Sequence, residues 1–253
     1  MINQSTSCSD FPKYINVCKD ATNTENGFNT FRNNSNYNEI LEHVNFDQGV
    51  LYLNHILNTN KQIINNNIIS IFNKIDKYGN PKQFNYKTIG LCSPTLLRYF
   101  SVLGDINRIY GNLDNKIIVE IGAGYGGQSM FINLLHNIKK YIIIDLPDVI
   151  NLIKKFLIKN NMDMSKYEFF SYDNVPIIES DYLISNYAFS ECNAFVQDVY
   201  LDKLINKTKN FYMVINIGLG TYTPDEIKDK IKGHVNIIRE EPNTCFSNLL
   251  FFR

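Results

Sequence analysis

The sequence predicts an α/β protein: a doubly wound, mostly parallel seven-stranded sheet ending in an antiparallel hairpin, with an N-terminal helical cap. Three observations predict it. From residue 117 onward, short apolar β-rich runs alternate with segments of helical spacing. The first run breaks into a glycine-dense turn, Gly122-Ala123-Gly124-Tyr125-Gly126-Gly127, and leads straight into a helical pattern. The last two runs are joined only through Pro242-Asn243-Thr244, too short for a parallel crossover, so they must pair antiparallel.

The elements follow in order. Residues 1–36 are polar, rich in Asn, Ser and Thr and weakly periodic, which predicts a loosely ordered arm. Residues 37–110 read as a helical cap or substrate segment: Ile40, Leu41 and Val44, then Leu51, Leu53, Ile56 and Leu57, then Ile63, Ile64, Ile68, Ile71 and Phe72 recur at helical spacing. Asp47 is a candidate helix cap, Tyr78-Gly79-Asn80-Pro81 is a break, and Ser93-Pro94 opens a helix over Leu96–Ile109. Residues 111–253 form the sheet domain. Its strands fit Ile117–Ile121, Tyr141–Asp145, Glu168–Ser171, Tyr182–Asn186, Tyr212–Ile217, Val235–Glu240 and Phe246–Phe252. Its helices fit Gln128–Ile138, Val149–Lys159, Phe195–Asn206 and Pro224–Lys232.

At 253 residues the chain is long enough for one such domain plus the helical segment. A formal net charge of +0 leaves no whole-chain footprint for nucleic acid or an anionic membrane, so neither is expected as a partner. The cysteines (Cys8, Cys18, Cys92, Cys192, Cys245) lack C-x-x-C spacing and paired histidines, which argues against a zinc cluster or disulfide framework and for a reducing compartment. Met1-Ile2-Asn3-Gln4-Ser5-Thr6 has no leader character and no run reaches membrane-spanning length. The expected location is cytoplasmic, meaning the host cytoplasm if the chain is viral. Assembly into a homo-oligomer stays open.

The glycine turn carries the chemistry. A strand, a glycine turn and a helix N-terminus let backbone N–H groups approach a ligand with no Cβ in the way. Gly122, Gly124 and Gly126 satisfy G-x-G-x-G, while Gly122, Gly124 and Gly127 satisfy the dinucleotide pattern G-x-G-x-x-G. Glu120, two residues before the first glycine, favours S-adenosylmethionine (SAM): it suits a zwitterionic sulfonium ligand and would repel a pyrophosphate. Asp145 ends the next strand, about 20 residues on from the turn, the spacing at which a βαβ unit offers an acid to ribose hydroxyls. Its competing reading is a solvated Asp at a strand end.

With these residues in view, the chain resembles class I SAM-dependent methyltransferases over about residues 90–253. More narrowly, VEIGAGYGGQS, IIIDLPDV and LISNYAFSE, with Pro94-Thr95-Leu96-Leu97-Arg98-Tyr99 upstream, resemble the sugar O-methyltransferase family. The resemblance implies the Rossmann-like class I methyltransferase sheet, SAM as cofactor, and a sugar, as nucleotide sugar or glycan, as acceptor. The antiparallel ending supports the same variant from loop lengths, because nicotinamide-binding domains lack it.

Ligands in such sheets bind beyond the carboxyl ends of the strands, which sorts the candidates. Glu120, Gly122, Ala123 and Gly124 are expected at the methionine end of SAM, with Tyr125 covering it. Asp145 takes the ribose, and Leu146 walls the adenine, flanked by Ser171 and Tyr172. Asn186 and Tyr187 shape the crevice beside the methyl group, Asn186 toward the cofactor and Tyr187 as a catalytic candidate. Glu191 is the residue expected to orient or deprotonate the acceptor; a carboxylate favoured by a helix dipole is the rival reading. Arg98 and Tyr99 would reach the SAM carboxylate or a substrate phosphate, and Glu241 and Asn243 would touch substrate. Topology puts His136 and His234 at the wrong edge, while His43 and His55 in the cap reach the cleft only if it closes. The segment after the fourth strand has no Asp-Asp or Asp-His cluster, so no metal is expected. The rival functions are methyl transfer to a non-sugar small molecule, a protein or RNA, and an inactive SAM-fold binding subunit.

Overall fold

The computed structural model describes residues 11–218, 221–244 and 248–253. A small antiparallel pair, β1 (Phe84–Tyr86) and β2 (Gly90–Cys92), precedes the main sheet. The main sheet comprises β3 (Ile117–Ile121), β4 (Lys140–Asp145), β5 (Tyr167–Ser171), β6 (Ser180–Asn186), β7 (Thr208–Ile215), β8 (Asn236–Arg239) and β9 (Leu249–Phe252). Their order is β5-β4-β3-β6-β7-β9-β8, with β3 to β7 parallel and β9 antiparallel to both β7 and β8. This is the mixed α/β sheet with an antiparallel end that loop lengths predict. Of the expected last strand, Phe246 lies outside the described residues, as do Cys8 and Cys245.

The helices are α1 (Pro12–Asn23), α2 (Glu25–Thr30), α3 (Ser35–Asn38), α4 (Phe46–Thr59), α5 (Asn66–Ile75), α6 (Pro94–Tyr110), α7 (Gly127–Leu135), α8 (Pro147–Lys159), α9 (Ala194–Lys203) and α10 (Pro224–Lys230). Strand alternation sorts the sheet into two faces. Ile118, Tyr141 and Ile143 pack with the buried residues of α6, α7 and α8 on one side. Val119, Ile121, Ile142 and Ile144 pack with α9 and α10 on the other. The chain leaves β3 toward β4 on one side and resumes at β6 on the other, so β3 and β6 flank the point where strand order reverses. A crevice opens there at the strands' carboxyl ends.

The expected loose arm is corrected over residues 11–36, which are mostly helical; residues 1–10 lie outside the description. Tyr14, Val17, Cys18 and Ala21 form one buried stripe at i, i+3, i+4 and i+7 along α1, which lies against α8. Phe28 and Phe31 add a second apolar anchor, packing tilted and edge-on around Phe156. Each large apolar side chain so buried contributes about 1.5–3 kcal/mol, enough to offset ordering of a polar segment. Lys155 of α8 donates to the carbonyls of Ala21 (2.9 Å), Thr22 (3.1 Å) and Thr24 (3.1 Å), satisfying the C-terminal end of α1. Polar composition concealed a stripe that burial reveals.

Fully buried Arg32 fastens this segment to the rest. Its Nε donates to Glu42 Oε1 (2.6 Å), Nη1 to Asp76 Oδ1 (2.9 Å) and Nη2 to Ser93 Oγ (2.9 Å). Its guanidinium lies 4.4 Å from the ring centroid of Tyr125, inside the glycine turn. Ser93 is thereby engaged, its hydroxyl donating to Asp76, so α6 begins on Pro94 without a side-chain cap. A second correction concerns α4: Asn45, with Gln48 in a capping box, caps it, and Asp47 sits in the first turn instead.

Candidate active site

A cavity of about 490 Å³ occupies the crevice, within the range of small-molecule sites. Its floor is the carboxyl ends of β3, β4, β6 and β7, at Ile121, Ile144, Asn186 and Asn216. Its roof is the N-terminal helical segment, which contributes Tyr14, Ile40, Leu41, Val44 and Tyr52.

At one end stands the turn after β3. Gly122 has φ +74°, and a Cβ there would lie 2.1 Å from the Ala188 Cβ, so no side chain fits. Gly124, at φ +61°, would put a Cβ 3.0 Å from both Leu41 methyls; the cap therefore rests directly on the turn. Asp145, at the tip of β4, is half-buried in the cavity wall. Its Oδ2 accepts the Ala123 N–H (2.9 Å) and its Oδ1 the Leu146 N–H (2.8 Å). Burial pushes its carboxyl up to about 7, against the lowering effect of those amides and that of Gly124. Each oxygen retains a lone pair for a ligand hydroxyl.

At the other end the groups are side chains from several elements. Tyr187, just beyond β6, has φ 72°, a sparsely populated conformation for a non-glycine residue, and its hydroxyl donates to Glu240 Oε1. Glu240 also accepts from Asn248 Nδ2 (2.8 Å), and burial holds its carboxyl above the usual range. Glu191 lines the cavity and accepts from Asn216 Nδ2 (2.7 Å). Burial raises the Glu191 carboxyl, with Asn216 and the Arg98 charge pulling the other way. The Asn186 side-chain Oδ1 is buried without a partner, on the cavity wall where a ligand donor could meet it.

The structure brings Gly122, Gly124, Asp145, Leu146, Tyr172, Asn186, Tyr187, Glu191 and Arg98 to the cavity. It does not bring the others there. Glu120 shares the face of Ile118, is 1% exposed, and accepts a hydrogen bond from Tyr141 (2.9 Å). Burial raises it to about 8, so it is a neutral core carboxyl at pH 7, and the expectation that its charge meets a ligand amine is corrected. Strand alternation is the reason: the residue two before the turn points into the layer beneath α6 and α7. Tyr125 is likewise fully buried against Arg32, Phe156 and Tyr99, and Tyr99 joins it on the core side rather than in the cavity. Ala123 contributes its backbone to Asp145, while Ser171 is outside the lining. Glu241 and Asn243 are exposed, and their neighbours Glu240 and Thr244 take the inward positions.

Sequence reasoning missed Tyr14, Tyr52, Asn216, Glu240 and Asn248. Only Glu240, next to a named residue, carried a usable signal. His43 is exposed at the cavity edge. His55 is instead pinned 3.0 Å from Asp105, which also accepts from Tyr212 (3.3 Å) and so ties the cap to the sheet. Among the described residues, no group of three or more His, Cys, Asp or Glu is arranged to hold a metal ion, and no helix is long and apolar enough to cross a membrane.

The chain matches no protein-family model and no curated protein. Among solved structures, it is similar to an O-methyltransferase family protein from Burkholderia thailandensis, with TM-score 0.42 and 13% identity over 54% of this chain and 50% of that one. The match thus spans about half the length of the Burkholderia protein. It is also similar to a SAM-dependent methyltransferase from Clostridium acetobutylicum, with TM-score 0.49 and 9% identity over 61% of this chain and 89% of that one.

Proposed function

We propose that the chain is a SAM-dependent O-methyltransferase acting on a hydroxyl of a small acceptor, with a sugar or nucleotide sugar as the leading class. One observation carries the reading: one roofed cavity brings together the glycine turn, Asp145, Tyr187 and Glu191. The residues present fit the cofactor. Gly122 and Gly124 leave backbone exposed where side chains would block a ligand, Asp145 offers acceptors to ribose hydroxyls, Leu146 and Tyr172 provide apolar wall, and the Asn186 side-chain Oδ1 could meet a donor.

Bound SAM supplies a methyl group already activated on a sulfonium, so the acceptor oxygen needs alignment and relief of its proton. Alignment can supply roughly 7–11 kcal/mol, which makes the cavity walls the main contributors. Glu191, its carboxyl raised by burial and oriented by Asn216, is the proposed base, and Tyr187 the proposed partner that holds the acceptor hydroxyl. A base adds about 10²–10⁴-fold. The roof of Leu41, Val44 and Tyr52 favours a small acceptor over a macromolecular one. The sugar itself is supported by the motif resemblance.

Calorimetry with S-adenosylhomocysteine (SAH) tests the cofactor; micromolar binding is expected, and absence of binding sinks the reading. Incubation with SAM and a panel of nucleotide sugars and free sugars, read by mass, tests the acceptor class. Methylation of another small molecule but of no sugar would retain the enzyme and remove the sugar.

A further inference from the structure

Arg98 is a buried cation with no carboxylate at ion-pair distance among the described residues. It lies on α6, is 5% exposed, and lines the cavity. Its Nη2 donates to the Leu41 carbonyl at 3.4 Å, a long contact, and its Nε is buried with no partner. Among the described residues no carboxylate lies within the 4.0 Å ion-pair distance of its nitrogens. The surrounding carboxylates are all engaged elsewhere: Glu42 by Arg32, Glu191 by Asn216, Glu240 by Tyr187 and Asn248. The rings of Tyr99 and Tyr187 sit 5.7 Å from the guanidinium carbon, holding it in place without neutralising it.

A guanidinium stays charged in proteins, and burying one unpaired costs several kcal/mol. Arg32 shows how this chain treats a buried arginine that serves the fold: two carboxylates and a hydroxyl meet it. Arg98 is nearly as buried, lines the cavity and has none of these partners. The contrast between the two marks Arg98 as awaiting an anion from a ligand.

We infer that Arg98 is the anchor for a ligand carboxylate in this cavity. Planar, forked N–H donors match a carboxylate in two-point fashion. The inference rests on the SAM reading and extends it. Asp145 closes β4, and Arg98 lies against Tyr187 just beyond β6, two strands across the sheet, so a ligand whose ribose meets Asp145 can reach Arg98 with its amino-acid end. The carboxylate belongs either to that methionine end or to an acidic acceptor such as a uronate.

Calorimetry on the full chain separates these sources. Wild-type protein and Arg98→Gln are titrated with SAH and with decarboxylated SAH, which keeps the adenosine and the amine. If the methionine end supplies the carboxylate, wild type prefers SAH by about 10–100-fold, the worth of a charge-assisted pair, and Arg98→Gln loses that preference. Equal binding of decarboxylated SAH by both proteins shows the variant site is folded, and Arg98→Lys should recover part of the preference. If an acceptor supplies it, the SAH preference survives in Arg98→Gln, while wild type saturated with SAH binds D-glucuronate over D-glucose and the variant does not. Arg98→Gln with undiminished SAH preference, together with no glucuronate preference in wild type, overturns the inference while leaving the cofactor reading intact. Failure of wild type to bind either adenosyl compound overturns the cofactor reading and this inference with it.

Discussion

Where the cavity meets β3 and β4, its wall comes from one continuous stretch, residues 121–146, and uses mainly backbone: two left-handed glycines and amides that aim Asp145. Where it meets β6 and β7, side chains arrive from α4, α6, the ends of both strands and the residues flanking β8 and β9. The first end is a local device, set by the order of residues in one βαβ unit. The second is an assembly, and each carboxylate in it depends on a partner from another element, as Glu191 does on Asn216, 25 positions on, and Glu240 on Tyr187, 53 positions back. In the proposed function the local end would hold the cofactor and the assembled one the acceptor.

That division can be broken most decisively at Glu191. Glu191→Gln should lower methyl transfer by about 10²–10⁴-fold with SAH binding unchanged, read by turnover on whichever acceptor the mass screen returns and by calorimetry. Equal losses in both would place Glu191 at the cofactor instead. Asp145→Ala should do the reverse, weakening SAH about 100-fold through loss of two hydrogen bonds to a charged group. Normal SAH binding by that variant would remove the nucleoside-end assignment.

A smaller effect sharpens the same point. Asp145 sits near 7 in the free protein, so below that value a ligand donating hydrogens to its carboxylate must first displace a proton. SAH affinity should therefore fall about tenfold from pH 8 to pH 6, and Asp145→Asn should abolish the dependence. The smallest binding effect is expected at Glu120, where Glu120→Gln should change SAH affinity by less than about twofold. Stability is another matter. Burial raises this carboxyl from 4.5 to about 8, so its contribution to the fold is fully present below 4.5 and lost as pH rises through about 8. Melting curves from pH 5 to pH 8.5 should thus decline more steeply for wild type than for Glu120→Gln.

Much of the local end was legible in the chain. Gly122, Gly124, Asp145 and Leu146 were readable because strand, turn and strand follow one another within a single unit and spacing fixes geometry. Glu120 was misread for want of one consideration: alternation along β3 decides which layer it enters, and only the packed helices show which layer is closed core. Tyr125 was misread similarly, since a residue inside a glycine turn can face the core when an arginine lies beneath it. The polar first segment hid its four-residue stripe among asparagines, and with it Tyr14, a cavity residue.

The sequence by itself determined the strand order's antiparallel ending, the glycine turn and the acid that closes β4, because each follows from connection length or near-neighbour spacing. Only the tertiary structure decided which buried arginine is neutralised and which is left lining the cavity, and which of Glu240 and Glu241 turns inward. Those outcomes depend on contacts between residues tens to over a hundred positions apart, and no short-range pattern encodes such pairings; burial, with its demand that charges find partners, selects them.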